Sequence, residues 1–144
     1  EEALQFSWLA SNRFYTMFRS TKPGDSFTHG RVGANDPDFN LRRDPVLIHH
    51  RATASDQSTF VSIIDSHGEY SPVTELSTGQ RSRIRDLKIT LDTPAYTVAN
   101  IALQSGDQFV LAWAHTDFSE DTPHEIRLPQ GVLRWVGPQA VEAM

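Results

Sequence analysis

Apolar residues recur at every second position in several short segments of this chain, and this period constrains its fold more than any other feature. The segments Leu4–Trp8 and Leu87–Leu91 both alternate apolar with polar side chains. Successive side chains of a β-strand point to opposite faces, so such alternation is typical of strands that bury one face. The pattern therefore predicts antiparallel sheets in which one face packs and the other meets water.

Turn signals separate these segments at regular intervals, and together they predict about nine short strands arranged as an all-β antiparallel β-sandwich. Two short Gly-containing loops, 105–107 and 129–131, are each flanked by strand-like segments and predict hairpins. The tail that follows Val136-Gly137-Pro138 is expected to be frayed. The predicted strands are Leu4–Trp8, Phe14–Phe18, Val46–Arg51, Thr59–Asp65, Leu87–Leu91, Tyr96–Gln104, Gln108–His115, His124–Leu128 and Val132–Val136.

The length of 144 residues suits one domain, which we expect to span residues 1–144. No window approaches the ~20 apolar residues of a membrane span, and the first residues resemble neither a signal peptide nor a start with Met. We therefore expect a processed, truncated or excised piece of a longer protein. The chain has no cysteine, which excludes disulfides and thiolate metal sites. Its net charge of -5 argues against nucleic-acid binding, and an acidic glycan would need locally clustered arginines.

The polar segment Gly33–Pro45 contains two Asp-Pro steps and lies between apolar, strand-like regions. Two interpretations stay open for it. As a structured loop it would serve the fold or a domain interface through Asx turns and Arg–Asp pairs. Alternatively Asn35, Arg42 or Arg43 contacts the carboxylate of an acidic sugar, because the planar guanidinium of arginine suits a carboxylate.

The segment 65–70 holds two further candidates for substrate contact, His67 and Tyr70, beside a glycine that permits a tight bend. The alternative for His67 is a hydrogen bond to a backbone carbonyl. Arg81, Arg83 and Arg85 would share one face of an extended strand. They would then form either a solvated edge that discourages aggregation or a surface for an anionic partner.

Metal binding has little support from the spacing of potential ligands. His49 and His50 are consecutive and would face opposite sides of a strand. His115, Asp117 and His124 are of types that suit zinc, but their spacing matches no sharp motif. We assign no metal ligand. Trp8, Trp113 and Trp135 are expected in the core, whereas Tyr15 and Tyr70 are better candidates for exposed rings.

The order of residues in Gly33–Pro45, supported by Phe60–Tyr70, resembles the C-terminal β-domain of the heparinase II/III-like polysaccharide lyases. It is most similar to the oligo-alginate lyases of polysaccharide lyase family seventeen. The resemblance implies a parent enzyme with an N-terminal α/α toroid followed by antiparallel β-domains. Such enzymes cleave uronate-containing polysaccharides by β-elimination, in which a base removes the proton at C5 and an acid assists the leaving oxygen.

In that family the catalytic Asn-His pair and tyrosine come mainly from the toroid, and this sequence contains no adjacent Asn-His pair. No catalytic residue is therefore carried over, and activity of the chain on its own is not expected. The resemblance also implies that zinc is possible in the parent enzyme, with ligands that cannot be assigned here. By the same analogy the parent would be periplasmic or secreted.

Three functions follow as hypotheses. The first is an accessory C-terminal β-sandwich that supports the missing toroid and the cleft for an acidic polysaccharide or oligosaccharide. The second is a free-standing carbohydrate-binding module. The third is a structural or oligomerising sandwich without a glycan site.

Overall fold

The computed structural model describes residues 3–33, 43–52, 58–129 and 131–144, and within these ranges all regular structure is β-strand. None of the described residues forms a helix of the length and apolarity that crossing a membrane requires. The strands are β1 (Leu4–Ala10), β2 (Arg13–Arg19), β3 (Asp25–Gly33), β4 (Arg43–Arg51), β5 (Ser62–Ser71), β6 (Leu76–Thr78), β7 (Ile84–Asp92), β8 (Tyr96–Leu103), β9 (Gln108–Ala114), β10 (Pro123–Leu128), β11 (Gly131–Val136) and β12 (Gln139–Ala143).

These strands form two four-stranded sheets and two hairpins, and every pairing between them is antiparallel. Sheet I has the order β1-β2-β5-β6, and sheet II has the order β12-β9-β8-β7. The hairpins are β3–β4 and β10–β11. The predicted all-β antiparallel architecture is confirmed, and its layered packing is that of a sandwich.

Sheet II is covered on both faces. Its inner face, which includes Leu87 and Ile101, packs with Phe18 of sheet I in one buried cluster. Its opposite face, which includes Val98 and Val110, packs against the β10–β11 hairpin in a second cluster. Neighbouring residues along β8 are therefore both buried, so the alternation of polar and apolar residues disappears there. The predicted hairpin around the loop 105–107 joins β8 to β9, and these are the two central strands of sheet II.

The chain divides into two compact units. The larger unit comprises residues 1–21 and 57–144 and contains sheets I and II with the β10–β11 hairpin. The smaller unit comprises residues 22–56 and contains the β3–β4 hairpin. The expectation of a single domain over residues 1–144, belonging to a larger lyase, stays a prediction.

The structure has twelve described strands where the sequence predicts about nine. The three additional strands are β3, β6 and β12. β3 contains few apolar residues, β6 has three residues, and β12 follows a Gly-Pro step, so none shows a clear period of two. The expectation that the tail frays is wrong, because residues 139–143 pair with β9 and close one edge of sheet II.

Candidate functional site

The predicted glycan contacts in the segment Gly33–Pro45 fall mostly on residues that the structure does not describe. Asn35 and Arg42 lie outside the described residues. Arg43 is the first residue of β4, where its backbone pairs with Gly33, but its side chain is likewise outside the described set. Contact of Asn35, Arg42 or Arg43 with a uronate therefore stays a prediction.

His67 lies on β5 with its side chain inside the larger unit, 7% exposed. Its Nδ1 lies 2.8 Å from the carbonyl oxygen of Gly79, which only accepts, so Nδ1–H is the donor. In the neutral ring Nε2 then accepts from the hydroxyl of Thr16, at 2.9 Å. The alternative interpretation, a histidine bonded to a backbone carbonyl, is confirmed, and substrate contact by His67 stays a prediction.

A bulge follows His67 in the pairing of β5 with β2, where the register shifts between Arg13 and Phe14. Gly68 occupies this point with a φ of 54°, and a Cβ there would overlap the backbone oxygens of Thr78 and Gly79. Only glycine therefore lets these two backbones approach so closely. Tyr70, beyond the bulge, is half-buried, and its N–H donates to the carbonyl of Asn12 at 2.8 Å. Its contact with a glycan stays a prediction.

Asp65 is a buried carboxylate on β5, with its side chain 4% exposed. It accepts hydrogen bonds from the Ser82 hydroxyl, the Arg83 backbone N–H and the Arg83 guanidinium, each at 2.8 Å. Burial acts to raise the pKa of Asp65, but these bonds to Arg83 and Ser82 outweigh it and hold the pKa below 3.8. The expected row of three arginines on one strand is wrong, because β7 begins at Ile84 and Arg83 turns to Asp65.

The smaller unit contains a second buried charge cluster, centred on Asp25. Its carboxylate accepts two hydrogen bonds from Arg51, both at 2.7 Å, and lies 2.8 Å from Nε2 of His49. The side chains of all three are at most 5% exposed. The hydrogen bonds of Arg51 are the main reason that the pKa of Asp25 lies far below its ordinary value. His49 is thus engaged within the hairpin, and His50 on the opposite face is exposed.

The possible convergence of His115, Asp117 and His124 on a metal is not seen. His115 lies 2.7 Å from the Thr97 hydroxyl, and Nδ1 of His124 lies 3.2 Å from the Tyr96 hydroxyl. Across the described ranges, no three His, Asp or Glu side chains are grouped in a way that could hold a metal ion. Zinc in the parent enzyme, which the resemblance implies as possible, stays a prediction.

The three tryptophans differ in burial. Trp135 is buried in the second core cluster, as expected. Trp8 is half-buried and stacks on Tyr15 across β1 and β2, with ring centroids 5.5 Å apart. Trp113 is half-buried on the inner face of sheet II, where it packs at the edge of the first core cluster.

A small cleft opens beside Trp113, with a volume of about 210 Å³. The segment Thr59–Ser62 forms one wall, and Thr97, Trp113 and His115 form the other. The guanidinium carbon of Arg19 lies 4.8 Å from the centre of the Phe60 ring, and Nη1 of Arg19 donates to the Ser62 hydroxyl at 2.6 Å. Sequence reasoning missed this cleft, since its walls are more than 30 residues apart in the chain and their meeting depends on tertiary packing.

A second cavity, of about 460 Å³, lies further along the inner face of sheet II. Its walls are mainly aliphatic and include Ile63, Ile101 and Leu111. The polar groups at this cavity are Asp65 and Arg83, which already pair with each other. This cavity offers apolar packing and few polar contacts to a ligand.

Comparison with known proteins shows similarity along nearly the whole chain to two lyases. The chain is 36% identical over 140 residues to an alginate lyase of Stenotrophomonas maltophilia. The match covers 96% of this chain and 18% of that enzyme. It is 29% identical over 138 residues to an exo-oligoalginate lyase of Saccharophagus degradans, again over 18% of that enzyme. No family model matches the chain. The resemblance to alginate lyases is confirmed, and the chain spans about a fifth of the length of these relatives.

Proposed function

We propose that this chain is an accessory β-domain, at the C-terminal side, of a lyase that cleaves alginate-like uronate glycans by β-elimination. In this role it would support the catalytic domain and form part of the wall of the substrate cleft. The observation that carries the proposal is the similarity over 96% of this chain to an alginate lyase of which it covers only 18%. Most of each relative lies outside the matched region, which leaves room there for a separate catalytic domain.

The chemistry of the described side chains supports an accessory role. β-elimination needs a base and an acid that reach the substrate, but His67 is buried with both ring nitrogens bonded inside the fold. The buried carboxylates of Asp25 and Asp65 are held ionised by hydrogen bonds from Arg51 and Arg83 and suit structural ion pairs. Neither would serve as a proton donor near neutral pH.

The proposal includes, by analogy with related lyases, a parent protein that acts in the periplasm or outside the cell. The missing partner would be a catalytic toroid within the same protein. A free-standing carbohydrate-binding module and a structural sandwich without a glycan site are the competing outcomes of the test below.

The test compares three proteins in a lyase assay: the full-length parent, the parent without this segment, and the 144-residue chain. The assay follows the ultraviolet absorbance of unsaturated product from oligo-alginate. We expect activity from the parent, a large loss on removal of the segment, and none from the chain. Product formation by the chain alone would refute the accessory role, and full activity without the segment would favour an independent module.

A further inference from the structure

We propose that the cleft between Phe60, Trp113 and His115 is a binding subsite for one uronate unit of an acidic oligosaccharide. This inference rests on the proposed function and extends it, because it names a site and a ligand class for the accessory domain. All of the residues that line the cleft belong to the larger unit.

The size of the cleft favours a single sugar unit. Pockets for drug-sized ligands hold roughly 300–1,000 Å³, whereas this cleft holds about 210 Å³. One pyranose ring is therefore a better match than a longer segment, and the neighbouring units of an oligosaccharide would extend into solvent.

Two aromatic side chains supply apolar surface for the ring of a sugar. Phe60 is 39% exposed, and Trp113 is half-buried on the inner face of sheet II. Aromatic rings combine a large apolar area with little conformational freedom, so they contribute binding energy at low entropic cost. The C–H faces of a pyranose ring offer a matching apolar surface.

The hydrogen bonds around His115 determine the tautomer of its neutral ring. The Thr97 hydroxyl donates to the carboxylate of Asp92 at 3.1 Å, so its oxygen accepts from Nε2–H of His115 at 2.7 Å. In the neutral ring Nδ1 is then an acceptor, which suits a sugar hydroxyl. The arrangement fixes both the tautomer and the plane of the ring.

Arg19 places positive charge at the edge of the cleft. Its guanidinium lies over the Phe60 ring and donates to Ser62, which lines the cleft. The protein carries a net charge of -5, so a carboxylated ligand needs a local cation to approach favourably. Arginine beside an aromatic wall therefore favours a uronate over a neutral sugar.

The larger aliphatic cavity on the same face is a weaker candidate for a glycan. Its polar side chains, Asp65 and Arg83, are bonded to each other. A sugar placed there would lose its bonds to water without replacing them, which costs free energy for every hydroxyl.

The test is calorimetric titration of the 144-residue chain with mannuronate and guluronate trimers, with a neutral glucose trimer as the comparison ligand. We expect measurable binding of at least one uronate trimer, weakened by added salt, and no comparable heat from the neutral trimer. The absence of uronate binding at millimolar ligand, or equal binding of the neutral trimer, would overturn the inference.

Two variants and two matched controls locate the site. Phe60→Ala should weaken uronate binding about three- to tenfold, and Arg19→Gln should weaken it about tenfold or more. The controls Phe118→Ala and Arg127→Gln remove an exposed phenylalanine and an exposed arginine that do not line the cleft, and their affinities should stay within about twofold of the parent chain. Circular dichroism and thermal melting of each protein check that it is folded.

Equal effects of Phe60→Ala and Phe118→Ala would overturn the placement of the site. Failure of this inference is distinct from failure of the proposed function. Loss of lyase activity on removal of the segment, together with no binding by the isolated chain, would leave the accessory role intact and refute the subsite alone.

Discussion

Asp65 on β5 accepts a hydrogen bond from the backbone N–H of Arg83 at 2.8 Å, and this bond joins sheet I to the residues that lead into β7 of sheet II. The Ser82 hydroxyl and the Arg83 guanidinium also donate hydrogen bonds to the Asp65 carboxylate. A buried carboxylate thus joins the two layers of the sandwich beside the apolar core, of which Ile84 is a member.

Asp65→Ala should therefore destabilise the protein by roughly 2–4 kcal/mol, because the buried donors at positions 82 and 83 lose their acceptor. Arg83→Ala should cost far less, since its side chain is 77% exposed and its backbone bond to Asp65 survives. Urea unfolding followed by tryptophan fluorescence measures both. Equal losses would show that the exposed guanidinium, and not the buried donors, carries the stability.

Stability should fall in acid. Hydrogen bonds from Arg51 lower the pKa of Asp25, and those from Arg83 and Ser82 lower that of Asp65 against the effect of burial. A carboxylate with a lowered folded-state pKa stabilises the fold above its unfolded value of 3.8, and this contribution is lost as pH falls through the folded value.

Unfolding free energies at neutral pH and at about pH 3 should therefore differ, with the lower value in acid. The Asp65→Asn variant should start from a lower stability and lose less on acidification than the unmodified chain. An identical acid loss in both would contradict a role for Asp65.

His67→Phe should cost roughly 1–3 kcal/mol of stability, since the Gly79 carbonyl loses its bond from His67 and the Thr16 hydroxyl loses one acceptor inside the fold. It should leave binding of a uronate trimer unchanged. The exposed His50 supplies the control, and His50→Phe should be nearly neutral. Weaker uronate binding by a folded His67→Phe variant would instead restore the direct substrate contact predicted from the sequence.

Gly68→Ala should be strongly destabilising. Gly68 and Gly106 both have a positive φ, but a Cβ at Gly68 meets backbone oxygens whereas a Cβ at Gly106 meets open space. Gly106→Ala should cost about 1 kcal/mol for the backbone alone, and Gly68→Ala at least about 2 kcal/mol more because of the overlap. Thermal melting of the pair isolates this difference, and equal melting temperatures would show that the bulge relaxes freely.

Asp25→Asn should loosen the β3–β4 hairpin, because Arg51 and His49 lose a buried charge partner. Amide hydrogen exchange in residues 25–33 and 43–51 should accelerate by at least about tenfold, which corresponds to 1.4 kcal/mol. Asp107→Asn, in an exposed loop, is the matched control. Unchanged exchange in the hairpin would mean that its order does not depend on the charge cluster.

Strands that alternate apolar and polar residues can be predicted from the sequence, whereas polar strands without this alternation cannot. The segment Leu4–Trp8 alternates and predicts a strand, whereas β3, with Gly30 near its centre and few apolar residues, gives no such pattern. Side-chain clusters are harder to predict, because Asp65 and Arg83 are 18 positions apart and their contact follows from how the sheets pack. The cleft at Trp113 is equally hard to predict, because no local pattern in the sequence indicates that its lining residues meet.

The last strand of the chain, β12, lies along the outer edge of sheet II and pairs with β9. Expression designs that trim residues 139–143 would uncover a row of unpaired backbone groups beside the apolar side chains of β9. Such an edge can recruit a strand from another molecule. A truncated protein would then be prone to aggregate at the concentrations used for crystallisation, even though the residues removed are mostly exposed and small.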